Sequence, residues 1–586
     1  MKPLYNSVLL TLSQFILERL ELCFPGHGQS LEEIYHSIGD APNLKMGHFA
    51  YPCFPLAKSC RMAPPKISGQ LEACQSQLPP QLASAVAAGP YFNFFFKPEG
   101  LADLFLEELL DGRFFEQKIT ENYPKTMVEY SQPNTHKILH VGHMRNLCLG
   151  NAVVRLHRYL GHEVVSTTYP GDVGTHVAKT LWYMKYHNNE PTPEENRGAW
   201  LGKMYTLANH KLEDELGSES EDQNRQQLTE ILVQLEKKEG EFYLLWKETR
   251  QWSLALMKEA YAWAGVEFDR WFFESEVDSP SLEFAKELHK SGKLVESEGA
   301  IGMDLSEDKL GFCLMIKRDG TGLYATKDVE LAKVKFEEFG IEQSIYIVDN
   351  RQAHHFRQVF KLLEKIGFEQ AQKCLHLQYD VVELPDGAMS SRQGNIVPLM
   401  DLVHSMEKAI TKNYLERYRG VWTDAEINET SSMVANGAIK YGMIRMDNNR
   451  KIVFDSDEWL KLDGETGPYL QYVHARIHSL CEKLEYKKAE GVQWQLLQKS
   501  QELALLVKLS SFNSTIETAA LQFKTMQLTG YLFELGKLFN SFYAECPIGK
   551  ADNEPLKQAR LALAKAVGQV MHCGLDLLGI PAPKKM

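Results

Sequence analysis

The sequence predicts a multidomain α/β protein: a small mixed α/β domain first, an α/β domain with a parallel sheet in the middle, and an all-α domain last. Three observations carry this. At 586 residues the chain exceeds what one core takes up. Strand-like and helix-like stretches alternate across residues 111–400, the mark of a parallel sheet. Across 401–586 apolar stripes at helical spacing dominate, as in "QELALLVKLSSFNSTIETAA" and "LKQARLALAKAVGQVMHCGLDLLG".

Residues 1–110 alternate short apolar patches with turn chemistry such as "YPCFPL" and "APPK". Val8, Leu9, Leu12, Ile16 and Leu20 recur at helical spacing, so an amphipathic first helix is expected. Ser13 and Gln14 interrupt the run, and Glu18, Arg19 and Glu21 follow it. A secretion leader would have neither feature. In the central zone "TMVEY" (126–130) reads as a buried strand. Met144, Leu147, Cys148, Ala152, Leu156 and Tyr159 then share one helical face. Gly161 stops that helix, and "EVVSTTY" (163–169) is the next strand. The charge-dense stretch 188–252 reads as a solvated helical insertion.

Composition narrows the function classes. Hydrophobic residues make up 44% and charged residues 24%, ordinary for an enzyme with a sizeable core. A net charge of −13 argues against a protein that coats nucleic acid nonspecifically, while leaving room for a local basic patch. The ten cysteines are scattered and form no CxxC, so neither structural zinc nor a disulfide scaffold is indicated, and a reducing cytoplasm is the simplest setting. No run is long and apolar enough to span a membrane.

The stretch "NTHKILHVGHMRN" (134–146) places His140 and His143 at the N-terminus of the helix in a strand–helix–strand unit. Backbone N–H groups and the helix dipole favour phosphate there. Gly142, without a side chain, lets a flat base or a phosphate approach the backbone. The two histidines are three apart and project to one side. Half of a metal site or two structural histidines remain alternatives; no third metal ligand is suggested nearby.

His140-Val-Gly-His143 resembles the HIGH motif of class I aminoacyl-tRNA synthetases, and Ala388-Met-Ser-Ser-Arg392 resembles their KMSKS loop. The segments "VEYSQPNTHKILHVGHMRN", "YPGDVGTH", "TGLYATKDV", "IVDNRQAHHFRQVF" and "DGETGPYLQYVHARI" are similar, in order, to those of the arginyl-tRNA synthetase family. So are "GHFAYPCFPLAK" near the start and "LLGIPAPKKM" at the end. The resemblance implies a Rossmann-like catalytic domain (111–400), an N-terminal tRNA-binding domain (1–110) and a C-terminal helical anticodon-binding domain of the DALR type (401–586). It implies ATP-dependent formation of arginyl-adenylate, transfer to tRNA(Arg), Mg²⁺ travelling with ATP, no protein-held metal, and a monomeric chain. A catalytically silent tRNA-binding relative and a class I synthetase for another cationic amino acid are the alternatives.

The resemblance also implies site residues. His140, Gly142, His143, Met389, Ser390 and Ser391 would meet ATP. Ala388 and Ser391 stand where the loop's two lysines would be, leaving Arg392 as its cation. Lys137 resembles the lysine that family members lacking the loop lysine carry in this place, where it is taken to supply the missing charge. Glu129 and Asn134 would hold the α-amino end of arginine beside His143. Tyr324 and Asp328, four apart on a helix, would take the guanidinium, and Gln352 would complete the pocket. Read without the family, Asp328 pairs with Lys327 or Lys333, and Glu129 is a strand-end carboxylate in water. Phe92, Asn93 and Phe94 offer either an aromatic platform for RNA or core packing. The stripe Tyr469, Tyr472, Val473 and Arg476 behind Pro468 reads as core.

Overall fold

A computed structural model describes residues 6–74, 77–116, 123–385, 396–488 and 491–586. Ala388, Met389, Ser390, Ser391 and Arg392 therefore lie outside the described residues. The chain divides into two compact units.

The first unit comprises Met1–Asn122, Tyr159–Gly161 and Leu462–Met586. Its N-terminal part is a four-stranded antiparallel sheet in the order Gly39–Asp40, Phe49–Pro52, Tyr91–Phe96, Leu82–Ala88. The amphipathic first helix, Ser7–Cys23, buries Val8, Leu12, Ile16 and Leu20 as its spacing demands. Phe92 and Phe94 are fully buried, with ring centroids 6.4 and 6.3 Å from Phe15. Asn93, also buried, donates from Nδ2 to the Met46 carbonyl at 2.8 Å. The aromatic-platform reading is thus overturned: the strand is covered on both faces, and the phenylalanines are core. The C-terminal part is all helical: Gly467–Lys483, Ser500–Ser510, Phe512–Leu521, Thr525–Glu545 and Glu554–Leu577. Thr466 caps the first of these, with Pro468 in its opening turn. Tyr469 and Val473 are buried, as a core stripe should be.

The second unit comprises Tyr123–Arg158 and His162–Lys461. The expected break near residue 400 falls inside it. The helices Leu399–Ile410 and Asp424–Ile444 belong here because their apolar faces are buried in this unit, and the division comes at Lys461. Its centre is a parallel five-stranded sheet: β1 Thr126–Glu129, β2 Val164–Thr168, β3 Arg270–Trp271, β4 Gln343–Asp349 and β5 Cys374–Tyr379. The order is β5-β4-β1-β2-β3. Chain direction across the sheet therefore reverses between β1 and β4, where open α/β sheets bind ligands beyond their strand ends. Glu129 ends β1 there, in register with Tyr346 of β4 and Thr167 of β2.

Between β1 and residue 366 the α-helices are α1 Val141–Tyr159, α2 Thr175–Tyr186, α3 Arg197–Asp214, α4 Glu221–Lys237, α5 Glu241–Trp263, α6 Glu274–Lys290, α7 Tyr324–Phe339 and α8 Ala353–Ile366. The charged stretch read as an insertion forms α3, α4 and the first half of α5. A three-stranded antiparallel meander, Val295–Ser297, Ala300–Asp304 and Phe312–Ile316, lies in sequence between α6 and α7.

The turn from β1 to α1 does not follow from local preference. Ser131 and His136 both take positive φ, 55° and 59°, which costs about 1–2 kcal/mol each for residues with a Cβ. Asn146 holds it. Its Oδ1 accepts from Ser131 N–H at 2.6 Å, and its Nδ2 faces Gln132 Oε1 (3.2 Å), the Ile347 carbonyl (2.8 Å) and the Tyr379 hydroxyl (3.1 Å). His136 adds Ser253, Thr135 and Thr249 as partners. Arg145, also buried, reaches the carbonyls of Asp380, Asp447, Asn448 and Arg450. Gly150 lets α1 close on β1, since a Cβ there would stand 2.1 Å from the Tyr130 ring.

Asn146→Ala strips the buried Ser131 N–H of its partner and is expected to destabilise this turn by about 1–3 kcal/mol. Hydrogen exchange should show lowered protection of the amides from 130 to 136. Unaltered protection there would mean that the turn holds itself.

Candidate active site

The β1–α1 turn sets both histidines of the 140–143 motif. His140 Nδ1 accepts from Gly142 N–H at 3.1 Å, and His143 Nδ1 accepts from His140 N–H at 3.2 Å. An accepting Nδ1 carries no proton, so each neutral ring bears its proton on Nε2. Burial, with Lys137 nearby, pushes His140 down to about 4. Burial, then His140 and Lys137, holds His143 well below the usual imidazole range. At neutral pH the motif therefore presents two uncharged Nε2–H donors, their ring centroids 4.0 Å apart. Lys137, whose Nζ lies 5.1 Å from the Tyr205 ring centroid, supplies positive charge beside them.

The segment that follows the 388–392 motif returns to the same place. Val141 N–H donates to the Val397 carbonyl at 3.3 Å, Leu399 N–H donates to the Leu139 carbonyl at 2.9 Å, and His140 and Pro398 form an antiparallel bridge. Residues 397–399, far downstream in sequence, thus pair through the backbone with residues 139–141 at the start of α1.

A set of carboxylates gathers at the strand ends. The buried Tyr169 hydroxyl has no hydrogen-bond partner among the described residues and feels all of their charges. Burial, then the charges of Asp328, Glu274, Glu129 and Asp172, holds its proton on far above the usual phenol range. Three of these carboxylates face a standing cation. Asp172 Oδ2 is 2.7 Å from Arg250 Nε and accepts from Ser275. Glu274 lies 3.3 Å from Lys327, and burial still pushes it up to about 7. Glu129 is 2.5 Å from Lys335, both side chains being almost completely buried. The fourth, Asp328, meets an imidazole: His355 Nε2 is 2.5 Å from its Oδ2. Burial alone would lower His355, but its bond to Asp328 and that residue's charge outweigh this and raise it.

These partners correct two expectations. Asp328 pairs with neither Lys327, which turns to Glu274 and Asp278, nor Lys333, which reaches Glu330; its partner comes from α8. Glu129 is not in water but sealed against α7. Of the remaining expected residues, Asn134 sits beside Gly171, where a Cβ would stand 2.3 Å from its Oδ1. Tyr324 opens α7 and is 70% exposed, one helical turn from Asp328. Gln352, exposed, precedes α8. Tyr169, Glu274, Lys335 and His355 were not singled out from sequence. "YPGDVGTH" directly after a strand, and a histidine pair opening a helix, were the available signals for the first and last.

Among the described residues no group of three or more His, Cys, Asp or Glu side chains is placed to hold a metal ion, and no helix is long and apolar enough to cross a membrane.

Residues 106–456 match the sequence profile of the class I (R) tRNA synthetase catalytic domain, 470–586 that of the DALR anticodon binding domain, and 11–96 that of the arginyl tRNA synthetase N terminal domain. The chain is 53% identical over 582 residues to the arginine--tRNA ligase of Bdellovibrio bacteriovorus, covering 99% of this chain and 100% of that one. It is 34% identical over 571 residues to the arginine--tRNA ligase of Treponema denticola, covering 93% and 94%. The solved arginyl-tRNA synthetase of Thermus thermophilus matches its fold with a TM-score of 0.80 at 27% identity, covering 98% and 99% of the two chains. A catalytic-domain match over more than half of the sequence and a full-length relative at this identity establish that the chain belongs to the arginyl-tRNA synthetase family of class I aminoacyl-tRNA synthetases.

Proposed function

We propose that this chain activates arginine with ATP and transfers the arginyl group to the terminal ribose of tRNA(Arg), with the roles that follow. Asp328 carries the reading. Alone among the four carboxylates around Tyr169, it faces a partner that need not be charged, and so retains net charge for an incoming guanidinium. Tyr324 and Gln352 border that end. Glu129 and Asn134 hold the α-ammonium near His143.

The arginine carboxylate attacks the α-phosphorus in line. The bond to pyrophosphate breaks with its electron pair on the leaving oxygen. His140 and His143 donate Nε2–H to phosphate oxygens, close to the backbone at Gly142, and Lys137 supplies positive charge. Met389, Ser390, Ser391 and Arg392 would close over the phosphates, with Mg²⁺ entering as the counter-ion of ATP. In the second step a ribose hydroxyl attacks the carbonyl, and AMP leaves. Residues 1–110 and the C-terminal helices would bind tRNA. A monomer in the cytoplasm is the expected setting. With Ala388 and Ser391 in place of lysines, the loop has little charge to hold it over ATP. Bound tRNA would then be needed to select the closed state before activation.

The direct test is exchange of pyrophosphate into ATP with each amino acid, with and without tRNA. Exchange should require arginine and cognate tRNA together; robust exchange in RNA-free enzyme would refute the tRNA requirement, and exchange with another amino acid would refute the specificity.

Lys137→Ala should lower adenylate formation at least ~100-fold while arginine binding changes little. Near-normal single-turnover rates in this variant would reduce Lys137 to a structural residue.

His355 sets a pH dependence. Below its raised pKa the imidazolium holds Asp328 and repels the guanidinium; above it the ring is neutral. KM for arginine should therefore rise as pH falls through that pKa, and His355→Gln should flatten the profile. An unchanged profile in the variant would place the titration elsewhere.

A further inference from the structure

The buried lysine on α7 has no part in the chemistry above, yet it is sealed against a carboxylate at the sheet's switch point. Lys335 is completely buried, and its Nζ lies 2.5 Å from Glu129 Oε2. The same Nζ stands 3.9 Å from the ring centroid of Tyr346, the residue paired with Glu129 across β4 and β1. The other carboxylate oxygen, Oε1, receives only a long bond from Gln132 Nε2 at 3.3 Å among the described residues. An ionised carboxylate has about four acceptor sites, so Glu129 keeps capacity on Oε1 after pairing on Oε2. Lys335 also lies seven residues beyond Asp328, two helical turns along the same face of α7.

We propose that Lys335 is a positioning residue for amino-acid recognition: it holds Glu129 from the Oε2 side so that Oε1, with acceptor capacity to spare, receives the substrate α-ammonium. This rests on the reading of Glu129 given above. One helix would then address both ends of the substrate, directly through Asp328 at the guanidinium and through Glu129 at the ammonium. The physical need is plain. A carboxylate at the end of a central strand, with almost no access to water, must either find a cation or give up its charge. A cation supplied by the substrate alone would leave the empty site with a bare buried anion. A cation supplied by Lys335, cushioned on the Tyr346 ring, keeps the site charged and shaped before substrate arrives. Without Lys335 the carboxylate is expected to swing away from this position, and it then no longer selects an ammonium.

The test uses the full-length enzyme with tRNA and compares arginine with 5-guanidinopentanoate, which is arginine without its α-amino group. The measured quantity is the inhibition constant of that analogue divided by KM for arginine. A second ratio, citrulline against arginine, reads the guanidinium end. Lys335→Met should shrink the first ratio at least ~10-fold, to the value found in Glu129→Gln, and leave the second within about threefold of the parent. Lys335→Arg should retain the first ratio. The double variant Glu129→Gln with Lys335→Met carries no lone buried charge and should match Glu129→Gln alone. It remains informative if Lys335→Met does not fold. A first ratio that stays at the parent value in Lys335→Met, that falls together with the second, or that drops further in the double variant than in Glu129→Gln would overturn the proposal. A parent-like first ratio in Glu129→Gln would instead overturn the underlying assignment of Glu129, and the proposal with it.

Discussion

One amide side chain fixes the geometry on which the catalytic unit depends. Asn146, in the first turns of α1, is bonded to the end of β1 through Ser131 and to β4 and β5 through Ile347 and Tyr379. The chain between β1 and α1 bends through two left-handed residues, neither of them glycine. Such a bend persists only where its surroundings over-determine it. Asn146 and the fully bonded ring of His136 provide that, and the result is a helix that begins beside the switch point of the sheet. The placement of His140 and His143 follows from this, as does their tautomer, which is set by backbone N–H groups within the same turn.

Charge is distributed in the site by exact pairing of fixed groups, against a chain that is net acidic. Asp172, Glu274 and Glu129 each have a lysine or arginine of their own, from α5, α7 and α7 respectively. Uncompensated, three anions at the strand ends would repel one another and cost several kcal/mol each to keep out of water. Paired, they act as a rigid polar wall. The carboxylate that answers to a histidine is left as the responsive one. The two motif histidines take the opposite course and stay neutral, and the positive charge beside them comes from Lys137.

The elements were legible in the sequence where the pattern is local. The run 126–130, the helical face from Met144 to Tyr159, the stop at Gly161 and the strand after it all stand as read, because strand and helix periods are properties of a few consecutive residues. The two synthetase-like motifs were legible through their resemblance to a family; that residues just beyond the second pair with the start of α1, His140 against Pro398, was not. Partnerships were not legible. Without the family, Asp328 would have been matched with Lys327 or Lys333 of its own helix, but neither i+1 nor i+5 spacing brings side chains together, and its partner comes from another helix. Lys335 looked like one more charge in "AKVKFEEF" and is among the most deeply buried side chains. Phe92 and Phe94 were open to two readings because a strand's sequence does not say which of its faces is covered. The boundary near residue 400 failed for a related reason: helical periodicity shows that a helix has an apolar face, not which domain buries it.

The separation of α1 from α7 bears on how such an enzyme changes over time. On the proposed roles, phosphate chemistry falls to α1 and the turn before it, which also meets the α-ammonium, while the guanidinium end is read from α7. The two helices are stitched to the same sheet but share no ionisable group in the contacts described. Mutation can therefore explore one without dismantling the other: a lineage, or a laboratory selection, can redraw the face of α7 for a different side chain while the adenylating apparatus is inherited intact. Lys335 would mark the limit of that freedom, because its ion pair with Glu129 ties α7 to β1.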